Sequence, residues 1–339
     1  MVIIVRMADP GPHIKGRLGI LRQTGHISNQ TWDAGREAGR GDANKIRVYN
    51  YSWQIPTPER VVQNMIRAGF YGIHSICNYT VDRGLLTALV DRWRDESHTF
   101  HFVGGELGIS LQDVEIMLGL RVDGLAVTRS ERNDTKASRL AMMESLLGVR
   151  PADNQVDQNC LTVRLDWMLH TFGELPPNPS EERLLYQSRA AMLLLLGAHV
   201  FSDKSSDQIP LWPLPFLEDF DTCAEYSWGS ALLAWLEANL CRVVRCKTTG
   251  VSGAVMFLDM WAITRLLPVR PCEELPEDVE PPEGLPRFPL GYRYDIYLVF
   301  ELDLLFYIIV SSIIYLAAGY IYCLSGFVCI LQMEDLEAN

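Results

Sequence analysis

The sequence predicts a mainly α-helical globular domain that carries a short β-hairpin-like element and is followed by a C-terminal hydrophobic helix. Three observations predict this fold class. In a chain of 339 residues, 48% are hydrophobic, which suffices for a buried core and excludes a disordered, collagen-like or small disulfide-rich protein. Apolar residues recur at helical spacing across residues 49–271, the predicted helical domain. Residues 304–333 contain no charged side chain.

Residues 1–48 are predicted to form a flexible, mildly basic N-terminal arm, because they are rich in Gly, Arg, Asn and Asp without a lasting apolar period. The first apolar run is too short for a secretory signal peptide. The formal net charge of −12 argues against a surface that binds phosphate backbones throughout. A solvated arm is favoured, and nucleic acid is a candidate partner of the arm alone. The basic side chains concerned are Arg17, Arg22, Arg36, Arg40, Lys45 and Arg47.

Two helices open the predicted domain. Thr57 followed by Pro58 is typical of a helix N-cap with proline at the first helical position. The apolar positions of this helix are Val62, Met65, Ile66 and Phe70. The second helix has its apolar stripe at Leu85, Leu86, Leu89, Val90 and Trp93.

A short extended piece follows at residues 98–103, where Phe100 and Phe102 alternate with polar neighbours as in a half-buried strand. Gly104 and Gly105 then turn the chain.

The next helix has clear signals at both ends. Ser110 and Asp113 have the spacing of a capping box, and Gly119 is expected to end the helix. Its predicted buried stripe is Leu111, Val114, Met117 and Leu118.

Five later helices are predicted on the same grounds. The apolar stretch 190–201 is too short to span the hydrocarbon core of a bilayer, so it is assigned to the core of the domain. These helices are expected at about 137–148, 161–172, 183–201, 228–245 and 255–266.

The C-terminal region differs in composition from the domain. Residues 272–295 are predicted to be an acidic, proline-rich linker, since seven prolines lie between Pro268 and Pro289. Residues 304–331 are long and apolar enough for a transmembrane helix. Basic residues before this segment and only acids after it predict a tail-anchored protein of the endoplasmic reticulum or nuclear envelope, with the domain on the cytosolic or nucleoplasmic side.

Several separated blocks of sequence resemble one known family. They are GGELGISLQDVEIMLGLRVDGLAV (104–127), LLLLGAHVFSDKSSDQIPL (193–211), YSWGSALLAWL (226–236) and the segment around Leu258, Trp261 and Arg270. In these blocks the chain resembles the plant mobile domain family, also called aminotransferase-like plant mobile domain or MAIN-like (maintenance-of-meristems-like) proteins. The resemblance covers roughly residues 50–291.

This resemblance implies a mostly helical domain that occurs in host plant proteins and in mobile elements. Host members resemble nuclear factors needed for meristem maintenance, cell division and genome stability, which act with protein partners. The family brings no agreed catalytic residues, so none is carried over to this chain. After residues 289–293 the sequence departs from the family pattern. A real membrane anchor and translation through an intron or past a truncation are both consistent with this departure.

A pyridoxal enzyme needs a Schiff-base lysine, an acid opposite the pyridine nitrogen and a phosphate cup. Lys204 is the most suggestive lysine, because Ser205 and Ser206 follow it. No glycine-rich strand-to-helix turn accompanies it. We therefore expect a solvated loop lysine and no cofactor.

The nearest metal-like patterns are His74 with Cys77, His98 with His101, and Cys241 with Cys246. None has a second matched pair at the spacing of a zinc site, so no metal is predicted. Eight cysteines without a secretory signal fit a reducing compartment, with Cys323 and Cys329 in the apolar tail.

An acidic-triad transposase needs carboxylates that converge on metal ions. Asp113, Asp166 and Glu225 are the candidates, but 42 acids supply such triples by chance.

Five tryptophans have two possible roles. They could form a ligand-stacking surface, but their helical spacing is more typical of core residues. They are Trp53, Trp212, Trp228, Trp235 and Trp261.

The sequence thus predicts no catalytic, cofactor-binding or metal-binding residue. A non-catalytic interaction protein is favoured over an enzyme relic, either a pyridoxal-type transferase or a nucleic-acid-processing enzyme of a mobile element. No small-molecule substrate is identified.

Overall fold

We describe the fold from a computed structural model. The residues that it describes are 46–48, 55–76, 79–102, 105–128, 135–202, 207–245, 250–266 and 281–292. These residues contain ten α-helices and seven short strands in three small sheets. The prediction of a helical domain with a short hairpin element is therefore confirmed.

The helices, in chain order, are α1 (Glu59–Arg67), α2 (Tyr71–His74), α3 (Arg83–Val90), α4 (Leu111–Leu118), α5 (Lys136–Leu147), α6 (Leu165–Phe172), α7 (Glu181–Leu195), α8 (Phe220–Cys223), α9 (Trp228–Val244) and α10 (Val255–Arg265). A π-helical turn, Leu196–Val200, continues α7. The strands are β1 (Arg47–Val48), β2 (Trp93–Arg94), β3 (Thr99–Phe102), β4 (Gly105–Leu107), β5 (Thr162–Arg164), β6 (Gln208–Pro210) and β7 (Gly250–Val251).

The predicted hairpin is the centre of an antiparallel sheet in the order β2-β3-β4. Phe100 pairs with Trp93 on one side and with Leu107 on the other. Its ring lies between two tryptophans, 4.9 Å from Trp93 and 5.1 Å from Trp261 between centroids. The hairpin is thus attached to the core through aromatic contacts, which are favourable at these centroid distances.

The other two sheets were not predicted. β5 and β6 pair antiparallel, and β1 and β7 pair parallel. Each strand has only two or three residues, which is too short for an alternating pattern to appear. Ile46 is buried beside β1, and its N–H donates to Thr87 Oγ1 at 3.2 Å. The last residues of the predicted N-terminal arm therefore belong to the packed domain.

Three details of the first helices were wrong. The N-cap of α1 is Pro58, whose ψ of 164° is extended, and not Thr57. No side chain caps this end, and the carbonyl of Pro58 accepts from the N–H of Val61 and Val62. Val61, rather than Val62, is fully buried. Trp93 is not part of the second helix, because α3 ends at Val90 and Trp93 pairs in β2.

Other helix boundaries agree with or correct the sequence pattern. The capping box of Ser110 and Asp113 is present, and Gly119 ends α4 in the left-handed conformation with a φ of 64°. The helix predicted at 161–172 begins only at Leu165, because the preceding residues 162–164 are paired with β6.

Helix α10 forms the centre of the core. Its residues 255–263 are all buried, so every face of the helix is covered by other elements. It packs against α3 and α4. A helix buried on all faces must have its polar side chains satisfied by neighbouring elements, because water does not reach them.

The carboxylate of Asp113 on α4 is the first of these polar partners. Its Oδ1 accepts from Arg265 Nε at 2.8 Å and also from Arg265 Nη2, and its Oδ2 accepts from Trp261 Nε1 at 3.3 Å. The same carboxylate receives the N–H of Ser110 at 3.0 Å. Burial alone would raise the pKa of Asp113, but the bonds from Arg265 and Ser110 outweigh it and lower the pKa. We call this arrangement the Asp113 clamp.

Asp259 is the second buried acid of this helix. It is 1% exposed, and its Oδ2 accepts from Tyr79 Oη at 2.9 Å and from the N–H of Asp82 at 3.2 Å. Within the described part of the chain, its Oδ1 has no hydrogen-bond partner. Burial, assisted by the charge of Asp82, raises the pKa of Asp259 to about 8. Asp259 therefore carries a proton at neutral pH.

The C-terminal predictions are only partly covered by the structure. Among the described residues, no helix combines the length and apolarity that crossing a bilayer requires. The predicted transmembrane segment 304–331 lies outside these residues. Residues 281–292 of the predicted linker are described, and Pro289 and Gly291 are buried against the domain.

We predict that Asp113→Asn destabilises the protein by about 2–3 kcal/mol, because Arg265 and Trp261 lose a charged acceptor at a buried position. The free energy of unfolding, measured by urea denaturation, checks this. Asp123→Ala is the matched control. It removes an exposed carboxylate that pairs with Arg121 at 2.8 Å, and should change stability by less than about 0.5 kcal/mol. Equal effects of the two substitutions would contradict the clamp.

We predict that Asp259→Asn alters the pH dependence of stability. The folded pKa of Asp259 is raised from 3.8 to about 8, so the folded state holds a proton that the unfolded state releases between these values. The wild-type free energy of unfolding should therefore fall with rising pH across this window, relative to the variant, by at most ~1.4 kcal/mol per pH unit. Urea unfolding of both proteins between pH 5 and pH 8 measures the difference. Parallel stability curves would show that the idea is wrong.

Candidate interaction surface

The three acids considered as metal-binding residues do not converge. Asp113 is engaged in the clamp on α10. Asp166 forms an exposed pair with Arg164 at 2.8 Å, and Glu225 is exposed, with its backbone carbonyl bound to the N–H of Leu125 at 2.8 Å. No group of three or more His, Cys, Asp or Glu side chains suited to a metal ion occurs in the described ranges. Asp113 and Asp166 each pair with an arginine, and the contact of Glu225 is made by its backbone.

His98 and Cys241 take part in the attachment of the hairpin to α9. Side chains spaced by four residues along this helix lie on one face. Glu237 and Cys241 of α9, and Arg245 directly after its end, contact the hairpin. Burial raises the pKa of Glu237, and the pairing with His98 opposes this effect. The contacts are His98 Nδ1 to Glu237 Oε2 at 3.3 Å, Trp93 Nε1 to Cys241 Sγ at 3.3 Å, and Arg245 Nε to Asp95 Oδ2 at 2.9 Å.

Three histidines are largely buried, and burial lowers the pKa of each. His74 lies on α2, His101 on β3, and His199 in the π-helical turn. The pKa of His199 is lowered to about 4, so this imidazole is neutral at physiological pH. His101 Nε2 lies 3.0 Å from Ser97 Oγ. The sequence offered no signal for the burial of His199 beyond its position in an apolar run.

Several other candidates lie outside the described residues, namely Lys204, Cys77, Cys246, Trp53 and the two cysteines of the tail. The expectations for them remain predictions. The described cysteines, Cys160, Cys223 and Cys241, carry free thiols.

The described tryptophans pack mainly in the interior. Trp228 and Trp261 are buried, and Trp212 and Trp235 are partly buried. Phe201 joins three of them, with ring centroids 4.7 Å from Trp212, 5.9 Å from Trp235 and 6.3 Å from Trp228. These rings therefore contribute to the core rather than to a ligand-stacking surface.

Exposed apolar side chains lie on α4 and on the loop that follows it. Leu111, Ile116 and Leu125 are 42%, 46% and 50% exposed. The sequence prediction placed Leu111 in the buried stripe of α4, and this was wrong. Val114, Met117 and Leu118 are buried as predicted, and Asp113 faces the core where its carboxylate forms the clamp. Ile116 was not singled out by the sequence pattern.

Beside Ile116 lies a short C-terminal segment, Leu285–Tyr292, which we call the strap. Its rings continue a stack that begins on α2. Phe288 lies 6.1 Å from Tyr71 with an interplanar angle of 21°, and Tyr292 lies 3.9 Å from Phe288 with an angle of 13°. Burial, together with Tyr292, raises the pKa of Tyr71. The strap is thus held to α2 by aromatic stacking.

The strap also follows the end of α4 closely. The N–H of Leu290 donates to the carbonyl of Ile116 at 3.0 Å. A Cβ atom at Gly291 would lie 2.5 Å from the carbonyl oxygen of Met117, so only glycine fits there without a shift. Ile116, Phe288 and Tyr292 therefore belong to one partly apolar surface, formed by α2, α4 and the strap.

Comparison with known proteins agrees with the sequence blocks. The family model described as "Plant mobile domain" matches residues 69–295, which include the strap. The chain is 42% identical over 216 residues to the Serine/threonine-protein phosphatase 7 long form homolog of Arabidopsis thaliana, covering 64% of this chain and 16% of that protein. No significant match was found among solved structures.

Two further relatives from Arabidopsis thaliana are named as a MAIN-like protein and as a protein of meristem maintenance. Protein MAIN-LIKE 2 is 32% identical over 265 residues, which are 78% of this chain and 38% of the relative. Protein MAINTENANCE OF MERISTEMS is 29% identical over 252 residues, which are 74% of this chain and 51% of the relative. The chain thus spans about half or less of the length of these relatives. With a family model that covers most of the helical domain, the chain belongs to the plant mobile domain family.

Proposed function

We propose that this protein is a non-catalytic plant mobile domain protein that acts in the nucleus by binding other proteins at its surface. The single observation that carries the proposal is the exposed apolar surface on α4, where Leu111 and Ile116 face solvent and Ile116 adjoins the strap. Exposed apolar side chains next to half-buried rings are typical of protein-binding surfaces.

The relatives support the class of function. Proteins named for the maintenance of meristems share the domain with this chain. From this similarity we propose a role in meristem maintenance, cell division or genome stability. These relatives are longer than the region that they share with this chain, so the role of each whole relative is not assigned to the shared region alone.

Location and further partners are part of the proposal. We propose a nuclear location from the similarity to the family. If residues 304–331 are translated, we propose that they anchor the protein as a single-pass segment in the endoplasmic reticulum or the nuclear envelope. The basic arm is the proposed region of nucleic-acid contact.

An enzyme is the alternative class. One relative is named as a phosphatase homolog, and the matched region is 16% of that protein. Hydrolysis of a phosphate monoester by the purified chain, or a pyridoxal-dependent or metal-dependent nuclease activity, would favour this alternative.

We predict that Ile116→Glu reduces the recovery of nuclear protein partners by about tenfold or more, because a charge at the centre of an apolar contact costs more than ~1.4 kcal/mol of binding free energy. Quantitative affinity purification of the tagged full chain from plant nuclei provides the measurement. Asn178→Glu, at an exposed position elsewhere, is the matched control and should retain the partners. Equal recovery with both variants would exclude α4 as the binding surface.

We predict that removing residues 1–45 weakens binding to double-stranded DNA and reduces its salt dependence, because basic side chains that replace counterions are lost. The deletion stops before Ile46, which is buried in the domain. Binding measured at several salt concentrations tests this. An unchanged salt slope would assign any DNA contact to another part of the chain.

A further inference from the structure

We propose that Leu125, Phe216 and Tyr226 form a binding surface for a basic, arginine-rich segment of another protein. We call these residues, together with Pro215, the aromatic surface. It consists of other residues than the exposed apolar side chains of α4 on which the proposed function rests. The inference therefore goes beyond that function, because it assigns a second surface and names the chemistry of its ligand.

The loop after α4 holds Leu125 in a fixed position. The N–H of Leu125 donates to the carbonyl of Glu225 at 2.8 Å, and its carbonyl accepts from the N–H of Ser227 at 2.8 Å. These bonds form a parallel bridge between Leu125 and Tyr226. Because side chains alternate between the two sides of an extended segment, the paired side chains point to the same side. Leu125 is 50% exposed, so an apolar side chain is held at the surface beside Tyr226.

Two half-buried rings continue this surface. The ring of Tyr226 lies 4.9 Å from that of Phe216 between centroids, at an interplanar angle of 89°. Phe216 in turn packs on the buried Trp228, with centroids 5.6 Å apart. Pro215, directly before Phe216, is exposed. The rings are thus fixed by the core on one side and reach solvent on the other. Arginine is the side chain that suits them, because its planar cation stacks on aromatic faces.

The charges around the aromatic surface indicate the sign of its ligand. Residues 207–227 contain five acids and no Lys, Arg or His. Asp221 pairs with Arg67 at 2.7 Å. Glu218 and Glu225, which lie close to Phe216 and Tyr226 in the sequence, are exposed. An apolar surface with an acidic border attracts a positively charged segment and repels the phosphates of a nucleic acid.

A fluorescein-labelled peptide of alternating arginine and glycine residues is the probe for this surface. Its binding to the full chain is measured by fluorescence anisotropy at low salt. Leu125→Ser should raise the Kd about fivefold, because it removes an apolar contact at a position where truncation leaves no cavity. Leu111→Ser is the matched control, because Leu111 is 42% exposed on α4, and this variant should bind as wild type does.

Two further variants test the charge and the rings. Glu225→Lys should raise the Kd about tenfold and reduce its salt dependence, because an attractive charge becomes repulsive. Glu174→Lys makes the same change of charge at an exposed position elsewhere and should bind as wild type does. Tyr226→Leu should reduce the preference for the arginine peptide over the corresponding lysine peptide, because leucine has no aromatic face.

Three results would overturn the proposal. The first is the absence of peptide binding to the wild-type chain. The second is an equal loss of binding in Glu225→Lys and Glu174→Lys, because the peptide would then follow net charge and not the aromatic surface. The third is binding that appears only after residues 1–45 are removed, because the basic arm of the chain itself would then occupy the surface in place of another protein.

Cooperative urea unfolding checks that each variant folds. Leu125→Ser and Glu225→Lys alter exposed side chains, so they test the surface even if Tyr226→Leu does not fold. The recovery of nuclear partners measured with Ile116→Glu is a separate result. Loss of peptide binding with retained nuclear partners would reject the aromatic surface alone. Peptide binding by a chain that recovers no nuclear partner would reject the proposed function alone.

Discussion

The burial of residues 255–263 of α10, which cover every face of the helix, is the constraint on which the rest of the domain depends. The polar side chains of a helix with no solvent-facing side can form hydrogen bonds only with groups from other elements. The clamp from Asp113 meets this need at the C-terminal end of α10, and Tyr79 and the N–H of Asp82 meet it at Asp259. These contacts join segments far apart in the sequence, and they determine how α3 and α4 lie against the core.

The clamp also connects the core to the candidate interaction surface. With Asp113 and Val114 directed inward, the opposite side of α4 exposes Leu111 and Ile116. The carbonyl groups at the end of the same helix then receive the strap, whose Gly291 lies over Met260 of α10. Helix α4 thus has a charged contact with the interior, exposed apolar side chains at Leu111 and Ile116, and backbone contacts with the strap at its C-terminal end. The position of the surface follows from the packing of the core.

The family relationship gives this arrangement a functional setting. The domain recurs in relatives whose chains are longer, and this chain spans about half or less of their length. His101 and His199 are buried in the domain, as are the thiols of Cys160 and Cys223, whereas the side chains of Leu111 and Ile116 on α4 are exposed.

Local signals in the sequence were sufficient for the helical class, the hairpin strand, the capping box at Ser110 and the glycine that ends α4, because each depends on neighbours within a few residues. The blocks of sequence that resemble the plant mobile domain family were also recognised from the sequence. The pairing of β1 with β7, the inward rotation of Asp113 and the seating of Phe288 on Tyr71 depend on residues more than forty positions apart. Only the tertiary structure decided these features, since a periodic pattern identifies an apolar face but not the element that covers it.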